Sequence, residues 1–458
     1  MVLPSACMQA LVSKNTKAFE TEELMKEICS LIKKPFFPYA FPHPKGQTAF
    51  FDIETTGLSP NASSLYLIGF MHYDKTKEAW LLRQWFANDY QSEKEILQTF
   101  LENLSEIKYL YHFNGKTFDI PYVLKKCTRH LITPSKHCEN LLYDTLGTHC
   151  IDLLGKIRPL RHALMLEKCS QTALEQWLGI KREDTFSGGE LISVYSEYMQ
   201  QKILNPENAA KLEKVLLLHN HDDIEMMLNV CSILTYDEYL SDSSQNRLFA
   251  AENLSTLDVC ITSGQTVSLT MELPVPVPKT VHLVTPYPET SLEDITQNTS
   301  LCSMLRSAQL LLDKKTACFT LPLYEGPLKY FMPNYKDYYY LIKEDMAVHK
   351  SVAEYVDKNF RKKATAATCY INKEGRFLPN LPASTRKKNT VSDTADKEPA
   401  FFYLVHKDKL NFCELPEDYK VNTEFWKQYL IRQMPYFRKS NTPLHSNGAS
   451  FAPEGRGI

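Results

Sequence analysis

Asp52 and Glu54 sit two residues apart at the end of an apolar run, Ala49, Phe50 and Phe51, with Ile53 between the two acids. Residues two apart on a strand project from the same face. The run reads as a buried central strand, and two anions side by side there are costly unless something cationic meets them. A divalent metal answers that need, because Mg²⁺ and Mn²⁺ prefer carboxylate oxygens. The bland alternative is a strand end with two solvated acids, since Asp-x-Glu alone is common.

Two further segments sharpen the choice. Tyr111-His-Phe-Asn-Gly-Lys-Thr-Phe-Asp-Ile-Pro-Tyr-Val123 follows an apolar strand. Asn114-Gly115 offers a tight turn that tolerates positive φ, and Pro121 suits the first turn of a helix. Asp119 is therefore expected at a strand-to-helix corner, as a ligand or as an ordinary helix cap. Farther on, Leu212, Val215, Leu216, Met226, Met227 and Val230 recur with helical spacing, and His219 and Asp223, four apart, fall on the same stripe. A polar pair on a core-facing stripe needs a partner; a buried, mutually satisfied pair is the alternative. Asp222 falls off the stripe and reads as solvated or one step removed from a metal. His221, also off it, is the rival to His219.

In order, the motifs are D-x-E, N-G-x-x-x-D-x-P and H-N-x-x-D. This series resembles the DEDD superfamily of 3′→5′ exonucleases on a ribonuclease-H-like fold, and its second motif is similar to the proofreading motif of family B DNA polymerases. The stretch Ser170-Gln-Thr-Ala-Leu-Glu-Gln-Trp-Leu-Gly-Ile-Lys-Arg182, followed by Gly188-Gly189, is similar to the bacterial YprB-type ribonuclease-H-like family. The resemblance covers about residues 46–240. It implies that Asp52, Glu54, Asp119 and Asp223 bind two divalent cations, Mg²⁺ or Mn²⁺, and that a phosphodiester is hydrolysed to a nucleoside 5′-monophosphate. One departure stands out. The histidine of the His-type branch falls at Leu218, whereas the tyrosine slot of the Tyr-type branch holds His219. A neutral imidazole there suits a general base. Thr55, Gly57, Asn114, Lys116 and Arg182 are the expected substrate contacts. A metal-dependent endonuclease and a non-catalytic nucleic-acid-binding module are the alternatives.

The elements that must position these residues are an α/β arrangement: a mixed five-stranded ribonuclease-H-like sheet flanked by helices, followed by a C-terminal α+β accessory domain. Strands are expected up to Glu54, at 65–72, 79–86, 107–113 and 149–154. The first helix starts from a capping box, Ser92 with Glu95, and others fall at 118–127, 170–178, 190–201 and 209–240. Asp152, buried by pattern, reads as a structural acid or as support behind the metals. Residues 1–45 read as one amphipathic helix over 21–33 and a proline-rich lead-in, 46–240 as the exonuclease domain, 246–435 as the accessory domain, and 436–458 as a disordered tail.

Within the accessory domain, strands are expected near 257–262, 266–273, 280–284, 317–324 and 338–342, with Ser263-Gly264 as a turn and helices over 301–312 and 344–363. Ten Lys/Arg against three acids lie between Lys350 and Lys388, near Tyr330, Phe331, Tyr335 and Tyr338–Tyr340. Basic groups beside rings suit single-stranded nucleic acid; a solvated basic helix is the alternative. Residues 384–399 read as a mobile loop.

The 458 residues carry a net charge of only −2, so no global charge commits the chain to nucleic acid. Twelve cysteines without a C-x-x-C pair point to a reducing cytoplasm. Cys127, His130, His137 and Cys138 lack a zinc spacing. Neither a signal peptide nor a membrane-spanning run is expected. Protein partners are not legible.

Overall fold

The chain joins its first sheet earlier than its sequence suggests. Met25–Leu31 is strand β1, where helical spacing predicts a helix over 21–33. Tertiary partners override the local period. Met25 and Ile28 pack on the core, Lys26 reaches Glu213 at 2.8 Å, and Glu27 accepts a bond from Trp85 Nε1 at 3.1 Å. The computed structural model describes residues 25–32, 35–182, 186, 188–244, 246–262, 266–286, 307–332, 334–380, 401–403 and 411–440. The chain divides into two units. The first comprises residues 1–34, 41–152 and 182–227, and the second residues 35–40, 153–181 and 228–458.

In the first unit, β2 (Thr48–Thr55), β3 (Leu65–Asp74) and β4 (Ala79–Ala87) form an antiparallel meander. Helix α1 (Glu93–Leu104) follows, then β5 (Tyr109–His112), α2 (Asp119–Arg129), α3 (Lys136–Leu142) and β6 (Cys150–Asp152). Strand β5 lies parallel to β2, and β6 parallel to β5. The sheet order is β1-β4-β3-β2-β5-β6. It has six strands where five are expected, because β1 covers the open edge of β4. Central β2 is buried along almost its whole length, as its apolar run requires. Phe51, Phe70, Trp85, Phe100 and Leu110 fill the core. The expected capping box does not form: Ser92 is already helical and donates its hydroxyl to Asp89 at 2.8 Å. Cys127 and Cys138 are core residues, while His130 meets Glu93 at 2.6 Å and His137 meets the Ile107 carbonyl at 2.7 Å.

Short α4 (Leu153–Ile157) and α5 (Gln171–Leu178) belong to the second unit. Helices α6 (Gly188–Leu204) and α7 (Pro206–Val230) come next, and their residues up to Met227 belong to the first unit. Tyr195 of α6 stacks on Tyr66 at 4.0 Å.

The second unit continues with α8 (Leu234–Tyr239) and α9 (Ala251–Leu254). Strands β7 (Asp258–Thr262), β8 (Thr266–Glu272), β9 (Val281–Pro286), β10 (Ser307–Asp313) and β11 (Thr316–Pro322) form a sheet of order β7-β8-β11-β10-β9. Between β8 and β9 runs the proline-rich stretch 274–278, which has few amide donors of its own. Tyr239 satisfies Val275 there, donating to its carbonyl at 2.6 Å and accepting from its amide at 2.9 Å.

Two expected helices are strands. The region 301–312 contributes β10, with residues 301–306 outside the described residues; Ala308, Leu310 and Leu312 are buried while Leu311 is exposed, a period of two. β12 (Tyr324–Phe331) and β13 (Tyr338–Leu341) follow. The region 344–363 is β14 (Met346–His349), one-turn α10 (Lys350–Ala353) and β15 (Arg361–Lys363). Two of its cations are drawn into local contacts: Arg361 lies 5.0 Å from the Tyr339 ring centroid and Lys350 is 3.8 Å from Asp337. β16 (Tyr370–Asn380), β17 (Phe401–Tyr403) and β18 (Asn411–Glu414) join β12 in a third sheet. Helix α11 (Thr423–Arg438) occupies the start of the expected tail. The expected turn at 263–264, the loop at 384–399 and residues 441–458 lie outside the described residues.

Candidate active site

The C-terminal end of β2 carries Asp52 and Glu54; Glu54 is buried and Asp52 keeps partial exposure. Asp119, also buried, is the first residue of α2. Its Oδ1 accepts the amide of Ile53, between the two β2 acids, at 3.3 Å. This bond ties the second motif to the first. His219 and Asp223 lie on α7, one turn apart. His219 Nε2 is 3.7 Å from Glu54 Oε1 and 3.3 Å from Asp223 Oδ2. Five of the predicted residues therefore meet in one place.

The electrostatics are those of an anionic site short of positive charge. Burial first, and then the neighbouring carboxylates Asp119, Asp223 and Glu54, push the Asp52 carboxyl well above the usual carboxylate range, against the lowering bond from Asn220. Burial pushes Asp119 up to about 7, opposed by its own amide and that of Ile53 and reinforced by Asp152 and Asp223. Donor atoms of Glu54, His219 and Asp223 all lie within 4.8 Å of one another. Carboxylate oxygens with one imidazole, gathered where anions repel, fit a divalent cation. A second such group, His221, Asp222 and Glu225, interleaves with His219 and Asp223 on the same helix.

Asn220, the second residue of H-N-x-x-D but given no role by spacing, is fully buried; it donates to Asp52 Oδ2 at 3.2 Å and accepts from Gln84 Nε2 at 3.0 Å. Gly69, paired with Asp52 across the sheet, makes room for it: a Cβ there would stand 2.2 Å from both Asn220 Oδ1 and Ile224 Cδ1. Besides its place in the motif, the signal in the sequence is a glycine within an otherwise apolar strand. Asp222 is buried, not solvated, with His221 Nδ1 at 3.7 Å. Asp152 accepts the amide of Asn114 at 3.0 Å. Because Asn114 has φ +61°, this bond secures the left-handed turn that leads to Asp119.

The remaining expected contacts divide. Thr55 Oγ1 donates to the Gly57 carbonyl at 2.9 Å, so these two shape the loop after the first motif. Ser63 closes that loop, bonding the Gly57 carbonyl at 2.8 Å and the Tyr122 hydroxyl at 2.8 Å. Asn114 Oδ1 accepts from Thr117 at 2.9 Å, a bond within its own turn. Lys116 lies by the Thr145 carbonyl at 3.4 Å, in a contact separate from the carboxylates. Arg182 does join them: its guanidinium is 2.5 Å from Asp223 Oδ1. A cation at Asp223 must share that carboxylate with Arg182.

Residues 49–248 match the family model RNase_H_2, described as the RNase_H superfamily. The first unit accordingly has the ribonuclease-H-like fold. No curated protein matches the chain. Among solved structures, a family B DNA polymerase from the hyperthermophilic archaeon Pyrobaculum calidifontis is similar over 44% of this chain and 26% of its own, at 14% identity and TM-score 0.32. The zinc-ion-bound form of an E. coli Exonuclease I–ssDNA complex is similar over 51% of this chain and 53% of its own, at 11% identity and TM-score 0.27. Exonuclease I in its apo form matches over 58% and 64%, at 9% identity and TM-score 0.27. The chain thus spans less than two thirds of each of these proteins. Among the described residues no helix is long and apolar enough to cross a membrane.

Proposed function

We propose that the chain is a DEDD-type 3′→5′ exonuclease of nucleic acid, with residues 46–240 as its catalytic part and 246–435 as an accessory domain. The observation that carries this reading is the meeting of Asp52, Glu54, Asp119, His219 and Asp223 around the C-terminal end of one central strand. We assign Asp52, Glu54, Asp119 and Asp223 to hold two divalent cations, Mg²⁺ or Mn²⁺. Bound there, such cations supply Lewis acidity at the phosphodiester and a water of lowered pKa. The stretch Ser170–Arg182 with Gly188-Gly189 supports the YprB-type branch of the superfamily.

His219 faces two of the carboxylates and is assigned to accept the proton of the attacking water or to hold that water in line. Asn220 anchors Asp52. Arg182 supplies counter-charge to Asp223, and its guanidinium is a group that would suit a phosphate. Thr55 and Gly57 shape the loop where the terminal nucleotide approaches backbone. Asn114 holds the turn before Asp119, and Lys116 offers a charge for the strand.

The test is Mn²⁺-dependent degradation of 5′-labelled single-stranded DNA and RNA, beside Asp52→Asn and Asp223→Asn with their folding checked by thermal unfolding. A ladder shortening from the 3′ end, lost in both variants, is the expected result. Internal cuts requiring the same acids would replace the exonuclease by an endonuclease. Binding without cleavage would leave a non-catalytic module.

A further inference from the structure

A cavity of about 590 Å³ opens beside α2, lined in part by Lys116, Leu124, Lys125, Leu142, Tyr143 and Asp144. Its size falls within the range of small-ligand pockets. It reaches Ile120, the residue after Asp119, so it adjoins the candidate active site along the chain. Its floor is apolar, because Leu142 is buried and Leu124 half-buried. Tyr143 is 63% exposed and presents a ring at its rim.

The lining sets two lysines against one acid. Among the described residues no carboxylate pairs with Lys116 or Lys125. The adjacent Lys126 differs, being buried and paired with Glu93 at 2.9 Å. Asp144, the one acid in the lining, is turned into its own loop. It accepts the amides of Leu146 and Gly147 on Oδ1, and those of His149 and Cys150 with the Thr148 hydroxyl on Oδ2. Its oxygens are thus occupied by five donors of that loop, and neither lysine of the lining is paired with it. An apolar floor, an exposed ring and two lysines without a carboxylate partner suit a base with its phosphate.

We propose that this cavity holds one nucleotide of a single strand bound to the enzyme, with the base against Leu124, Leu142 and Tyr143 and its phosphate on Lys116 and Lys125. The strand must be single, since a paired base cannot enter a pocket of this kind. This inference rests on the nuclease reading for the identity of the strand, but its test does not require cleavage.

The test uses the full chain and a fluorescein-labelled 12-nucleotide single-stranded DNA, with binding read by anisotropy in EDTA across a salt series. Tyr143→Ala is expected to weaken binding roughly tenfold, the scale of one lost stacking contact. Lys125→Ala is expected to weaken it and to lower the slope of log Kd against log salt by about 0.7, the loss of one phosphate contact; Lys125→Arg should restore the slope. Thermal unfolding of each variant separates a lost contact from a lost fold. Unchanged affinity and slope in folded Tyr143→Ala and Lys125→Ala would overturn the proposal while leaving the nuclease reading intact. Equal competition by a duplex of the same length, or by uridine monophosphate at the same concentration, would also overturn it. If wild type binds the oligomer through this cavity yet cleaves nothing, the nuclease reading fails and the subsite stands.

Discussion

At the residue scale, Asp119 makes the site sensitive to pH. Its carboxyl titrates near 7 in the folded chain, against about 3.9 for an unfolded aspartate. Between these values the folded state holds the extra proton, so its contribution to stability is present at low pH and is lost as pH rises through about 7. In EDTA, the Tm difference between wild type and Asp119→Asn should therefore fall as pH climbs from about 4 to about 7, followed by thermal unfolding. Added Mn²⁺ should raise the wild-type Tm more at the alkaline end, because protons and metal compete for the same oxygens; an equal rise at both ends would count against Asp119 as a ligand. Gly69 yields a second prediction. Gly69→Ala places a methyl 2.2 Å from Asn220 Oδ1 and from Ile224 Cδ1. Overpacking of this kind costs about 1–3 kcal/mol, measurable by urea unfolding. Loss of the Asn220 bond to Asp52 should also depress cleavage beyond what the stability change explains.

At the scale of elements, the buried pair Lys126–Glu93 joins α2 to α1 and to the loop after the first motif. Lys126 and Glu93 are 1% and 6% exposed at their side chains, and 2.9 Å apart. Glu93 also accepts the amide of Leu65 at 2.6 Å and meets His130 at 2.6 Å, while Lys126 donates to the Ser63 carbonyl. Removing one partner strands a buried charge. Lys126→Met should therefore cost about 3–5 kcal/mol, and Glu93→Gln/Lys126→Met less than the sum of the singles, as read by denaturant unfolding. An additive double variant would mean that the two charges act independently. The meander and the α1 helix were legible because their apolar spacing matches their structure. β1, β10 and β14 were not, since short segments carry apolar residues at spacings that either a helix or a strand can use, and a neighbouring strand then decides.

At the scale of the whole molecule, β1 shows how a segment distant in sequence closes a sheet. It pairs along β4 from Met25 with Ala87 to Leu31 with Leu81. Ile28→Pro should break this pairing, lower stability by about 2 kcal/mol and expose an edge that promotes self-association; an unchanged Tm with a monomeric elution profile would show that β1 contributes little. What the sequence determined by itself was the local chemistry. Alternation placed Asp52 and Glu54 on one face of a strand, and the helical repeat placed His219 above Asp223, because both spacings follow from backbone geometry alone. Only the tertiary structure decided that Asn220 turns inward to Asp52, that Arg182 lies on Asp223 and that Asp144 folds its charge into its own loop. Each depends on how one element is rotated or seated against another, and that is set by packing over many residues at once rather than by the spacing of a few.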